Sequence, residues 1–102
     1  MIPSLETALD LREAVRIAAR DRRIALNITQ ADLAVRSGVP LGTLKRFERL
    51  GEVSLSSLLA IAEALDALEG FHALFPMPEA RTLEEVEHQA ARPKRARSRA
   101  RG

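Results

Sequence analysis

Residues 30–49, QADLAVRSGVPLGTLKRFER, decide the fold. Ala31, Leu33 and Ala34 recur at helical spacing only as far as Ser37, and the next residue is Gly38, which takes the left-handed conformation that ends a helix at little cost. Proline is tolerated at the start of a helix, where its missing N–H has no partner to lose. A further helix is therefore expected from Pro40 through Glu48 or Arg49, with Leu44 and Phe47 on its inward face. Small Ala34 lets the two helices approach closely, Gly38 absorbs the reversal, and Leu33, Val39, Leu44 and Phe47 lock the crossing angle.

Working outward, Thr29 caps the first of these helices, with Asp32 three residues on in a box-like pattern. Upstream, Leu5, Ala8, Leu11, Val15, Ala18 and Ala19 make an amphipathic helix over residues 4–26, with Arg12, Arg16, Arg20, Arg22 and Arg23 interleaved. Downstream, Gly51 is a stop and Ser54 caps a helix built on Leu55, Leu58, Leu59, Ile61, Ala62 and Leu65, whose wide apolar stripe reads as core. A fifth short helix is expected over residues 68–75, before Pro76 and Pro78. Thr82 and Glu85 form a capping pattern able to open a short sixth helix that runs to Ala91. No strand alternation occurs, so the expected fold is all-α with five helices. Residues 1–78 form the domain, 79–91 a helical extension, and 92–102, RPKRARSRARG, a basic tail too poor in apolar groups to offset the entropy of ordering it.

A chain of 102 residues supports one modest core. It has no cysteine, which removes disulfides and thiolate metal sites. Its three aromatic residues, Phe47, Phe71 and Phe75, argue against stacking on splayed single-stranded bases. The N-terminal stretch MIPSLETALDLREAVRIAARDRR has no apolar run of signal-peptide or membrane-span length, and the expected location is cytoplasmic. The net charge of +2 hides segregation: −2 over residues 1–11, +5 over 12–49, −7 over 50–91 and +6 over 92–102. The first basic zone coincides with the glycine-hinged helix pair.

The run T-Q-A-D-L-A, then S-G-V, then T-L-K-R-F-E-R, within residues 29–49, resembles the phage-repressor or XRE-type helix-turn-helix family, over roughly residues 9–75. The resemblance implies a DNA-binding regulator that binds a double-stranded operator as a homodimer. It also pairs Arg23 with Glu48, as a device for packing specificity. Gln30 matches a position touching the DNA backbone or an outer base, and Thr43 a phosphate-contacting hydroxyl. Leu41, Gly42 and Arg46 match positions facing base edges, with Lys45 and Arg49 on the same polar flank. Arg46 stands out because a guanidinium forks onto guanine O6 and N7. Pro40 replaces the usual Ser or Thr, and Leu41 and Gly42 replace residues that are often polar. Leu41 then suits a thymine methyl or inward packing, Gly42 suits close backbone approach, and DNA shape carries more of the specificity.

Arg12, Arg16, Arg20 and Arg22 fit either a solvated face or phosphate neutralisation, and the tail fits a flexible DNA arm, a partner-binding segment or a solubilising end. The expected dimer interface is Leu68, Phe71, Leu74 and Phe75, although capping the monomer core explains these residues nearly as well. His72 and His88 stand alone, so no metal site is expected, and Glu84 and Glu85 have no nucleophile or phosphate loop beside them, so neither catalysis nor a cofactor is expected. The LFPMPEAR segment at residues 74–81 and the basic end resemble HipB-like antitoxins, which implies a HipA-like toxin as partner. The rival reading is a protein-interaction module whose acidic half (Glu63, Asp66, Glu69, Glu84, Glu85, Glu87) docks a basic partner.

Overall fold

Four α-helices follow one another: α1 Ala8–Ala25, α2 Gln30–Ser37, α3 Leu41–Leu50 and α4 Leu55–Ala64. The computed structural model describes residues 6–79 and Glu87, and there are no strands among them. The chain divides into two compact units, Met1–His72 and Ala73–Gly102, and all four helices lie in the first. The expected sixth helix, apart from Glu87, and the basic tail lie outside the described residues.

Local chemistry sets each boundary. The first helix starts at Ala8 because Thr7 supplies a full capping box: its hydroxyl accepts from the Asp10 N–H at 3.1 Å, and its own N–H donates to the Asp10 carboxylate at 3.2 Å. At Thr29 only half of the expected box forms, the hydroxyl accepting from the Asp32 N–H at 3.0 Å. Asn27, at φ 60°, makes the turn between α1 and α2, a conformation asparagine tolerates better than most residues. Gly38 ends α2 at φ 77°, and its N–H donates to the Ala34 carbonyl. In the turn the Val39 N–H donates to the Ser37 hydroxyl at 3.1 Å, so this buried residue keeps its donor satisfied. Pro40 proves to be the cap of α3 rather than its first residue: its ψ of 143° is extended, and its carbonyl accepts from the Leu44 N–H. The helix runs to Leu50, slightly past the expected end, and Gly51 closes it at φ 76°.

The two closing glycines are not equivalent. A Cβ on Gly38 would meet nothing within 4 Å, whereas one on Gly51 would stand 2.6 Å from Cγ of Arg12, whose stem crosses this point. Gly38→Ala is expected to cost only the left-handed penalty, about 1 kcal/mol. Gly51→Ala adds displacement of Arg12 and is expected to cost about 2–3 kcal/mol. Urea unfolding of the two variants checks the order.

The expected fifth helix is a 3-10 segment, Glu69–Ala73. Left-handed Asp66, at φ 56°, ends α4 by returning the Ala67 N–H to the Ala62 carbonyl. Pro76 disfavours helical backbone at Phe75, and the few residues between, Gly70 among them, cannot offset the cost of nucleating an α-helix. Among residues 6–79 the elements are thus four α-helices and a short 3-10 turn.

Ile28, Leu33, Val39, Leu44, Phe47, Ile61 and Leu65 form the core, with Ala19, Ala34 and Leu58 packed against it. α2 packs on both α3 and α4, and α1 packs on α3. Leu33, Val39, Leu44 and Phe47, the four residues assigned to the crossing, are all buried. By contrast α1 contributes no buried residue, and only Ala19 of its apolar stripe joins the core. Val15 and Ala18 instead line an open groove of about 340 Å³ shared with Leu58 and Phe71. Leu55 of α4 is likewise exposed.

Candidate nucleic-acid interface

At about 100° per residue, α3 sorts its side chains into two arcs. Leu44, Phe47 and Glu48 share one side and are buried; Leu41, Gly42, Lys45, Arg46 and Arg49 share an arc of roughly 140° on the other and are exposed. Thr43 is half-buried at its edge, and Pro40 is exposed beside Leu41. Leu41, 37% exposed, is not part of the buried core. A Cβ on Gly42 would meet nothing within 4 Å among the described residues, so no described neighbour explains a glycine there, although glycine in a helix is costly.

What holds this arc outward is the buried carboxylate of Glu48. Arg23 donates from Nε to Oε2 at 2.7 Å and from Nη2 to Oε1 at 3.0 Å, while its Nη1 donates to the Ile28 carbonyl at 2.8 Å. Gln30 donates its amide to Oε1 at 2.9 Å. One guanidinium fork thus joins the end of α1, the turn into α2 and the last turns of α3. The pair is only 12% and 5% exposed, so rotation of α3 about its axis would strand a charge. Gln30, assigned to DNA by resemblance, has its amide nitrogen engaged within the fold.

Arg16 and Arg22 make contacts within the fold beyond the two roles considered for them. Arg16 donates from Nη1 to the Glu48 carbonyl at 3.0 Å, and Arg22 donates to the carbonyls of Leu65 at 2.6 Å and Asp66 at 2.8 Å. Both cations sit at helix C-termini, where unpaired carbonyls and the helix dipole favour them. Arg16 is oriented by Glu13 at 2.9 and 2.6 Å. This side-chain bond lowers the Glu13 carboxyl from its ordinary value and raises the Arg16 guanidinium. The small stabilisation from Glu13 is present above its unfolded pKa and fades as pH falls through the depressed one. Arg12 and Arg20 remain exposed, on the same helix.

On the exposed arc, Arg46 forms an ion pair with Glu52, at 2.9 Å from Nε and 2.6 Å from Nη2 to the same Oε1. No helical spacing in the sequence signals this pair. It arises because left-handed Gly51 turns the chain back beside the last turn of α3. Lys45 and Arg49 have no ion pair among the described residues.

Two short helices hinged at a left-handed glycine, the second with an apolar inner side and a basic outer one, form a helix-turn-helix, an arrangement suited to presenting one helix to a DNA major groove. Residues 20–69 match the family model described as helix-turn-helix, so this segment is similar to the helix-turn-helix domains of DNA-binding transcription regulators. No curated protein matches the chain. No helix among the described residues is long and apolar enough to cross a membrane.

Proposed function

We propose that the protein is a transcriptional repressor that binds a palindromic double-stranded operator as a homodimer, inserting the exposed arc of α3 into the major groove. The observation that carries this is the sorting of α3: Arg46, Lys45 and Arg49 point outward while Glu48, locked by Arg23, fixes the helix from within. A major groove admits one helix, and its base edges offer guanine O6 and N7 to Arg46 and a thymine methyl to Leu41. Gly42 leaves the backbone free to approach, Pro40 fixes the entry of the chain, and the Thr43 hydroxyl and Lys45 and Arg49 suit phosphates. Gln30, at the start of α2, spends one amide hydrogen on Glu48 and keeps its amide oxygen and second hydrogen for an outside partner. The proposed dimer contact is Leu68, Phe71, Leu74 and Phe75, of which Leu74 and Phe75 are 55% and 93% exposed. In a two-fold dimer the recognition helices read half-sites about 34 Å apart.

Salt titration of duplex binding tests the electrostatic part. The logarithm of the affinity is expected to fall against the logarithm of salt concentration with a slope near −0.9 per neutralised phosphate. Removing residues 92–102 flattens that slope if the tail is a DNA arm; an unchanged slope rejects the arm.

A second role, holding a partner protein such as a HipA-like toxin as an antitoxin does, is supported by exposed Glu63, Asp66 and Glu69 and by exposed Leu74, Phe75 and Met77. An Arg46→Ala variant that loses the operator yet retains the partner would separate the two roles.

A further inference from the structure

We infer that Glu52 is a specificity-determining residue: it holds the side edge of the Arg46 guanidinium, so that only the end edge meets the DNA. The inference rests on the proposed DNA reading by α3. Both contacts run to a single carboxylate oxygen, from Nε at 2.9 Å and from Nη2 at 2.6 Å. Those two nitrogens form one edge of the planar fork. The other edge, Nη1 with the remaining hydrogen of Nη2, has no partner among the described residues. Two parallel donors on that edge match guanine O6 and N7.

The pair does little for stability. Arg46 and Glu52 are 58% and 45% exposed, and exposed ion pairs contribute little to folding. What the pair does is conformational. An unrestrained arginine samples many rotamers and reaches phosphates as readily as bases, whereas one fixed at its side edge meets the groove in a single orientation. The carboxylate also repels the phosphate backbone, which weakens binding wherever no guanine offsets the approach. Its position beyond left-handed Gly51 brings it back alongside Arg46, six residues away in sequence.

The test compares wild type, Glu52→Ala and Glu52→Gln on three duplexes: a sequence selected by the wild type, the same duplex with the Arg46-dependent guanine pair changed to an adenine pair, and a random duplex. That guanine is the position whose change no longer matters in Arg46→Ala. Glu52→Ala is expected to lower the guanine-over-adenine preference about tenfold, the scale of a bidentate base contact, while binding to the random duplex tightens. Glu52→Gln falls between, because its amide oxygen still accepts from the side edge. Thermal melting of both variants stays at the wild-type value. An unchanged guanine preference in Glu52→Ala, with all three duplexes bound more tightly in parallel, overturns the inference and reduces Glu52 to a surface charge. A wild type with no preference for any duplex overturns the underlying DNA reading as well.

Discussion

Arg23→Ala is expected to destabilise the domain by about 3–5 kcal/mol, the cost of leaving a buried carboxylate without its cation. In a domain of this size that is much of the total stability. The variant also removes the donor to the Ile28 carbonyl and leaves Glu48 with Gln30 alone. Coulombic attraction is not the main reason for the loss, because bringing both charges out of water offsets most of it. The diagnostic is the double variant Arg23→Met with Glu48→Leu, which removes both charges at similar volume and is expected to recover most of the stability. Urea unfolding of the single and double variants measures this. A single variant within about 1 kcal/mol of wild type would mean that water replaces the fork and that the pair does not fix α3.

Arg46→Ala is the complementary experiment, with the largest expected effect on binding and almost none on folding. The side chain is more than half exposed and its partner is a surface carboxylate, so stability should stay within about 0.5 kcal/mol of wild type. Operator affinity should fall by about 1–3 kcal/mol for each guanine that the guanidinium no longer reads, and by roughly twice that in a two-fold dimer with one such guanine per half-site. Binding to random duplex should weaken far less. Competition between selected and random duplexes measures the difference. Equal weakening on both would make Arg46 a phosphate ligand.

The helix-turn-helix itself is legible in the sequence because its determinants are local. Thr29, Gly38, Pro40 and Gly51 punctuate the chain within one or two residues of the observed boundaries, and the period of Leu44 and Phe47 gives the inward face. The ends of the domain are less legible. Over residues 68–75 the apolar spacing suggests a helix, but Gly70 and Pro76 leave too short a run and a 3-10 turn results. The apolar stripe of α1 marks an amphipathic helix, yet only Ala19 of that stripe joins the core, since periodicity reports an amphipathic face and not what covers that face.

The arginines mark the same limit at the site. Resemblance pairs Arg23 with Glu48, and the structure puts them in a fork. Arg16 and Arg22 can be read from the sequence only as surface or phosphate-facing residues, because their carbonyl partners at Glu48, Leu65 and Asp66 lie more than thirty residues away in the chain. Glu52 escapes sequence reasoning for a different reason: a glycine-induced reversal, not a helical spacing, carries it to Arg46.

Selection of bound sequences from a pool of random duplexes addresses the outward face of α3 most directly. Presentation of that face to the major groove predicts an enriched inverted repeat with half-sites about one helical turn apart, containing a guanine whose enrichment vanishes in Arg46→Ala. A pool that emerges unenriched at moderate salt, or one enriched identically by the variant, would contradict it.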